Sequence, residues 1–188
     1  MDRAFNEGAP GAQFEGAQFA LGRRGFLRGS LALAAGLAAG PLWPLRGSAL
    51  SADTERLLRE SGFTYISPLR SNGSESACHG EVWFGWLRGS VVISANSDTW
   101  KVRAIARGLD RARIWVGDHG RWRAGRNERF RSAPSFDARA VLSKDESLLD
   151  ELMQLYTGKY PGAFSRWEKR MRDGFVSGAR GLVRYTPL

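Results

Sequence analysis

Ser97, Thr99, Lys101 and Arg103 occupy alternate positions in SANSDTWKVRAIARGLDRARIWVG, the stretch from Ser94 to Gly117. Two hydroxyls, an ammonium and a guanidinium at the start of a short helix are the groups that grip a phosphate. A helix N-terminus adds unpaired backbone N–H groups and a positive dipole end. Lys101 is the better candidate of the two cations, because Lys101 and Arg103 lie about 200° apart on a helix and point in different directions. Spacing alone leaves a second reading open, in which these cations and Arg107, Arg111 and Arg113 form a solvated face.

The elements that position these residues follow from patterning. Asp53–Glu60 reads as a short helix with Leu57 and Leu58 inward, ended by Gly62. Strand character runs through Phe63–Arg70, then after the Ser71–Gly73 turn through ESACHGEVWFGWL, and after Arg88-Gly89 through VVISAN. Three strands joined by short turns imply an antiparallel meander, since parallel neighbours need a long crossover. A helix from Thr99 to Arg107 is stopped by Gly108, and ARIWVGDHG returns to a strand. The basic Arg121–Arg131 region reads as a loop or ragged hairpin, followed by a strand at FDARAVLS.

Ser143-Lys144-Asp145-Glu146 reads as a capping box ahead of Leu148, Leu149, Leu152, Leu155 and Tyr156 at helical spacing. A second helix carries Phe164, Trp167 and Met171 on one stripe, and GLVRYTPL closes the chain as a strand. Such an order predicts a mainly β or α+β domain, an antiparallel barrel with helices to one side.

The bulk numbers bound the function. The chain has 188 residues, 43% hydrophobic, with a formal charge of +9, which suits one folded domain with an anionic partner. A lone cysteine, Cys78, excludes an internal disulfide, and with His79 and His119 gives no zinc-ligand spacing, so no metal is expected. Cys78 reads more readily as a small core residue than as a nucleophile.

Residues 1–49 read as an address. Arg23-Arg24-Gly25-Phe26-Leu27 precedes GSLALAAGLAAG, a short apolar run, and small residues surround Ser48 and Ala49. The paired arginines resemble the twin-arginine export signal. That predicts a signal peptide at 1–49, a domain at 50–188, a periplasmic or otherwise exported protein, and membrane contact only through the signal. Five arginines and three acids fall in the leader, so the domain keeps +7 of the +9. Export argues for no nucleic acid as partner, although arginines interleaved with Trp115, Trp122 and Phe130 would otherwise suit stacked bases.

Taken together, Val82-Trp83-Phe84, the hairpin strand behind it, the Ser/Thr-x-Lys turn, the arginine helix and RARIWVG resemble the flavin-binding split barrels of the pyridoxamine 5′-phosphate oxidase-like superfamily. GLVRYTPL resembles its closing strand, and the likeness covers Ser61 to Gly117 plus that strand. The resemblance implies a six-stranded antiparallel Greek-key split barrel with flanking helices that forms a homodimer around FMN, or a related deazaflavin, and acts as an oxidoreductase on a small-molecule substrate. It assigns the flavin phosphate to Ser97, Thr99, Lys101 and Arg103, and the ring to Val82 and Trp83, with Trp100 either covering the ring or anchoring the helix. Where family members often continue from the lysine into Asn-Leu and an Asn-Pro turn, this chain has Ala104-Ile105 and Gly108-Leu109-Asp110. A non-enzymatic barrel holding haem or another anionic ligand is the alternative. His79 and Glu81 read as one face of a strand, His79 either as a proton donor or as a hydrogen-bonded structural histidine.

Overall fold

Period-two alternation sorts the strand residues between two sides. Along β4 (Ser90–Asn96), Val91, Ile93 and Ala95 enter one apolar cluster while Val92 enters another. Along β5 (Arg111–Val116), Ala112, Ile114 and Val116 join the first and Trp115 turns to a third. The computed structural model describes residues 50–122 and 127–188. The signal peptide assigned to residues 1–49 and the middle of the Arg121–Arg131 loop lie outside the described residues.

The strands β1 (Thr64–Pro68), β2 (Gly80–Val82), β3 (Gly85–Leu87), β4, β5, β6 (Ser135–Ser143) and β7 (Arg180–Pro187) form one antiparallel sheet in the order β2-β1-β5-β6-β7-β4-β3. β2 and β3 are its opposite edges, yet only Trp83 and Phe84 separate them in sequence. Three Cα–Cα steps reach about 11 Å at most, so the two edges must curl toward each other. The expected split barrel with flanking helices follows.

There are seven strands rather than six. The long second strand expected over ESACHGEVWFGWL breaks at Trp83–Phe84, and its two halves pair with β1 and β4. The meander therefore becomes two hairpins at the two edges. At the break the Phe84 N–H donates to the Tyr160 hydroxyl at 3.1 Å, and that hydroxyl donates to the Gly62 carbonyl at 2.7 Å. A side chain takes the place of a ladder partner.

The barrel interior is filled by Ile66, Phe84, Ile93, Ile114, Val183 and Tyr185, each at most 1% exposed. Helix α1 (Ala52–Glu60), capped by Ser51, adds Leu58 to this core; α2 (Trp100–Ala106) adds Val102. On the outside, α3 (Glu146–Lys159) buries Leu148, Leu149, Leu152, Met153 and Tyr156 against Val92 and Leu182. It rides directly on β3, because a Cβ on Gly85 would meet Leu152 Cδ1 at 2.8 Å.

The α3 cap lies two residues later than the expected box. Asp145 accepts from the Leu148 N–H at 3.1 Å, and Ser143 instead accepts from the Asp145 N–H at 3.2 Å. The second helix is divided into a 3-10 turn at Phe164–Arg166 and α4 (Glu168–Val176), with Phe164, Trp167 and Met171 still in one cluster. Among the described residues no helix is long and apolar enough to cross a membrane, and no group of three or more His, Cys, Asp or Glu is placed to hold a metal ion.

Candidate functional site

β4 ends at Asn96 and the chain turns sharply into α2. The Thr99 hydroxyl donates to the Asn96 carbonyl at 2.8 Å, while Ser97 donates its N–H to Ala179 at 2.9 Å and its hydroxyl to the Gly178 carbonyl at 2.7 Å. Both hydroxyl protons are thus engaged with backbone. In this arrangement the two residues fix the turn and the angle at which α2 leaves it.

The cations diverge as helical geometry requires. Arg103 turns back to the Asp98 carbonyl on the exposed side. Lys101 turns inward, with its amine 3.7 Å from where a Cβ on Gly80 of β2 would stand. Burial pushes the Lys101 ammonium below the usual lysine range, with nearby Cys78 pulling the other way. No hydrogen bond or ion pair among the described residues involves the amine. Tyr185 is 1% exposed, its hydroxyl has no hydrogen-bond partner among the described residues, and burial pushes its pKa up. Lys101 and Tyr185 line the same void of about 10 Å³, with Ile105, Ala112 and Ala140 among its walls. That space suits a single water. A desolvated ammonium without an acceptor is costly, so an anion at its accessible end has a large electrostatic reward.

The remaining expected site residues are distributed around this centre. Val82 packs on the barrel core, two residues along β2 from Gly80. Trp83 turns outward and stacks on Tyr160 with ring centroids 4.5 Å apart and 10° between planes, while the Tyr156 hydroxyl donates to its carbonyl at 2.8 Å. Trp100 is 42% exposed, so it does not anchor α2 in the core. The structure brings Lys101 to the strand that bears Val82; it sets Ser97 toward the α4–β7 turn, Thr99 back onto the end of β4 and Trp83 toward α3.

His79 and Glu81 belong to bonded networks rather than to one open face. His79 Nδ1 is hydrogen bonded to the Ser67 hydroxyl and lies 3.9 Å from Glu75. Burial and Arg131 push the imidazole pKa down, against Glu75 and Glu128, which favours the neutral ring. Glu75 in turn pairs with Arg131 at 3.0 Å and Arg113 at 3.7 Å. Glu81 accepts from the Trp122 N–H, and its pKa is raised by burial.

Sequence reasoning passed over Tyr185 and Lys159. Tyr185 carried a signal, since β7 alternation places it inward two residues after Val183. Lys159 closes α3 with its ammonium 3.7 Å from the centroid of the Phe84 ring and 3.3 Å from the Phe84 carbonyl. Burial lowers its pKa to about 8, against Asp118. The folded value lies below the unfolded value of 10.5, so the unfolded chain binds more protons between them and stability rises as pH climbs through that window. Urea midpoints of the wild type should therefore increase above pH 8, and Lys159→Met should flatten the rise. Buried tyrosines titrate only higher and act oppositely above pH 10. An identical slope in the variant would reject the assignment.

No family model matches the sequence, and no curated protein matches it significantly. Among solved structures, the chain is similar to a conserved hypothetical protein of Mycobacterium tuberculosis, with 13% identity, 74% of this chain and 81% of that chain covered, and a TM-score of 0.51. It is also similar to a FAD-binding protein of Mesorhizobium loti, at 11% identity over 74% and 91% of the two chains and a TM-score of 0.48. The heme storage protein HutZ of Vibrio cholerae aligns at 10% identity over 74% and 90%, with a TM-score of 0.46. At these identities the likeness is one of fold.

Proposed function

We propose that this split barrel is an exported oxidoreductase of the pyridoxamine 5′-phosphate oxidase-like type, in which Lys101 pairs with the phosphate of FMN beside β2. The observation that carries the reading is the Lys101 amine, desolvated and without a partner among the described residues. The residues present fit such a group. Gly80 puts no side chain beside the amine, where a Cβ would stand 3.7 Å from it.

When bound, the flavin supplies hydride or electron transfer as its own chemistry. The chain's part is to hold and orient it. Ser97 and Thr99 lock the turn that aims α2, so Lys101 enters at a fixed angle. Val82 and the β2 backbone offer the ring a rigid edge, and Trp100 and Arg103 remain at the accessible side. A deazaflavin bearing the same phosphate would meet the same cation. The paired arginines Arg23 and Arg24 support export, and the resemblance supports a homodimer acting on a small-molecule substrate.

Purified mature protein is expected to be yellow, or to become so on adding FMN, with the flavin bands of its visible spectrum shifted from those of free FMN. A colourless protein that leaves added FMN unperturbed overturns the reading. Export is tested separately by fusing residues 1–52 to a reporter with Arg23 and Arg24 intact or replaced by lysine.

A further inference from the structure

The cations of α4 and of the turn behind it have no part in the proposed flavin site. Arg166, Lys169, Arg170 and Arg180 line an open cleft of about 600 Å³, whose acid among the described residues is Asp173. Lys169 holds that acid at 2.5 Å. Arg166 takes part in none of the ion pairs among the described residues.

A groove of about 670 Å³ adjoins the cleft. Its apolar wall is Val102, Leu142, Leu149, Phe175, Val176 and Leu182. Cleft and groove share Ser177 and Arg180, so a cationic space opens into an apolar one. Val176 is 87% exposed and Leu142 39%, which leaves the wall accessible. Of the groove's acids, Asp150 is tied to Arg172 at 2.6 Å, and Glu146 lies at the α3 end.

Arg180 at the junction is held in place. Its stem crosses Gly174, where a Cβ would meet Cγ and Cδ at 2.7 Å. Its Nη1 donates to Asn96 at 2.5 Å and its Nε to the Ser94 hydroxyl at 3.2 Å. Gly174, buried in α4, is the close approach that allows this.

We propose that cleft and groove form one binding site for an amphiphilic organic anion, an aromatic or alkyl body ending in a carboxylate, sulfonate or phosphate. The cations take the head and the apolar wall takes the body. The site uses neither Lys101 nor Val82, so it stands or falls independently of the flavin reading.

The test is calorimetric titration of the purified chain with anilinonaphthalene sulfonate, with its uncharged counterpart phenylnaphthylamine, and with inorganic sulfate. One saturable site for the sulfonate is expected. Arg166→Glu should weaken it about tenfold, the scale of one charge-assisted contact. Val176→Asp should weaken the sulfonate and phenylnaphthylamine but not sulfate; Arg166→Glu should leave phenylnaphthylamine unchanged. Both positions are exposed, and unchanged melting curves establish that the variants are folded. Equal affinity for charged and uncharged probes, or insensitivity of sulfonate binding to either substitution, overturns the proposal. Lys101→Met should leave the sulfonate affinity unchanged; a loss there overturns the proposal too, since the probe would then be sitting in the flavin site.

Discussion

Lys101→Met is expected to weaken FMN binding about 10- to 100-fold while raising the melting temperature of the flavin-free protein. The two effects share one cause. Without ligand, the ammonium has lost hydration and gained no partner among the described residues; an apolar side chain of similar length removes that cost, on the order of 1 kcal/mol in favour of the variant. With phosphate present the sign reverses, since a charge-assisted hydrogen bond contributes roughly 1.5–3 kcal/mol. The stability gain should be pH-dependent. The folded pKa lies below the unfolded one, so the penalty is fully present at pH values below the folded pKa and fades as pH rises toward the unfolded value. Lys101→Arg should not restore affinity, because a planar fork needs more room than the space beside Gly80 and Tyr185 offers. Unchanged FMN affinity in Lys101→Met moves the phosphate grip elsewhere, and a lowered melting temperature would mean that the amine already has a stabilising partner.

The direction of Lys101 was legible in part. Lys101 and Ile105 are one turn apart on α2 and both line the internal void, so a helical stripe led the lysine inward. Its neighbours were not legible, because Gly80 and Tyr185 come from two strands, and Cys78 from the loop ahead of β2, whose relative placement only the folded barrel sets. The same holds for the cationic cleft, which joins Asn96 on β4, Arg166 to Arg170 around α4 and Arg180 on β7. Strand alternation was the dependable signal, and it is what carries Val91, Ile93 and Val183 into one core. It failed at VWFGW, where an unbroken apolar run concealed a break made by Tyr160, a residue 76 positions away. The cap of α3 moved to Asp145 because Ser143 completes β6 before the helix begins.

That break is also where the barrel should be most vulnerable. Phe84→Ala is expected to cost about 3–5 kcal/mol, the usual penalty for emptying a buried aromatic site, against a total stability of about 5–15 kcal/mol for a domain. Phe84 is 0% exposed, its ring fills the barrel core, and its face carries the Lys159 ammonium. Truncation therefore opens a cavity and strips a desolvated cation of its aromatic partner. Tyr160→Phe makes a milder comparison. It keeps the stack on Trp83 but leaves the Phe84 N–H and the Gly62 carbonyl without that hydroxyl, at a cost of about 1–3 kcal/mol. The two losses should not add in the double variant, since both act on the same backbone crossing. Urea denaturation measures each cost, and a loss below about 1 kcal/mol for Phe84→Ala would mean that the core closes over the gap. Hydrogen exchange adds the local test: amides of β2 and β3 should open before those of β5 and β6, because the two halves of the broken strand are the sheet's edges and share the Phe84 crossing. If they do, FMN affinity should fall in Tyr160→Phe even though Lys101 is untouched, since the amine works against the β2 backbone that this hydroxyl secures.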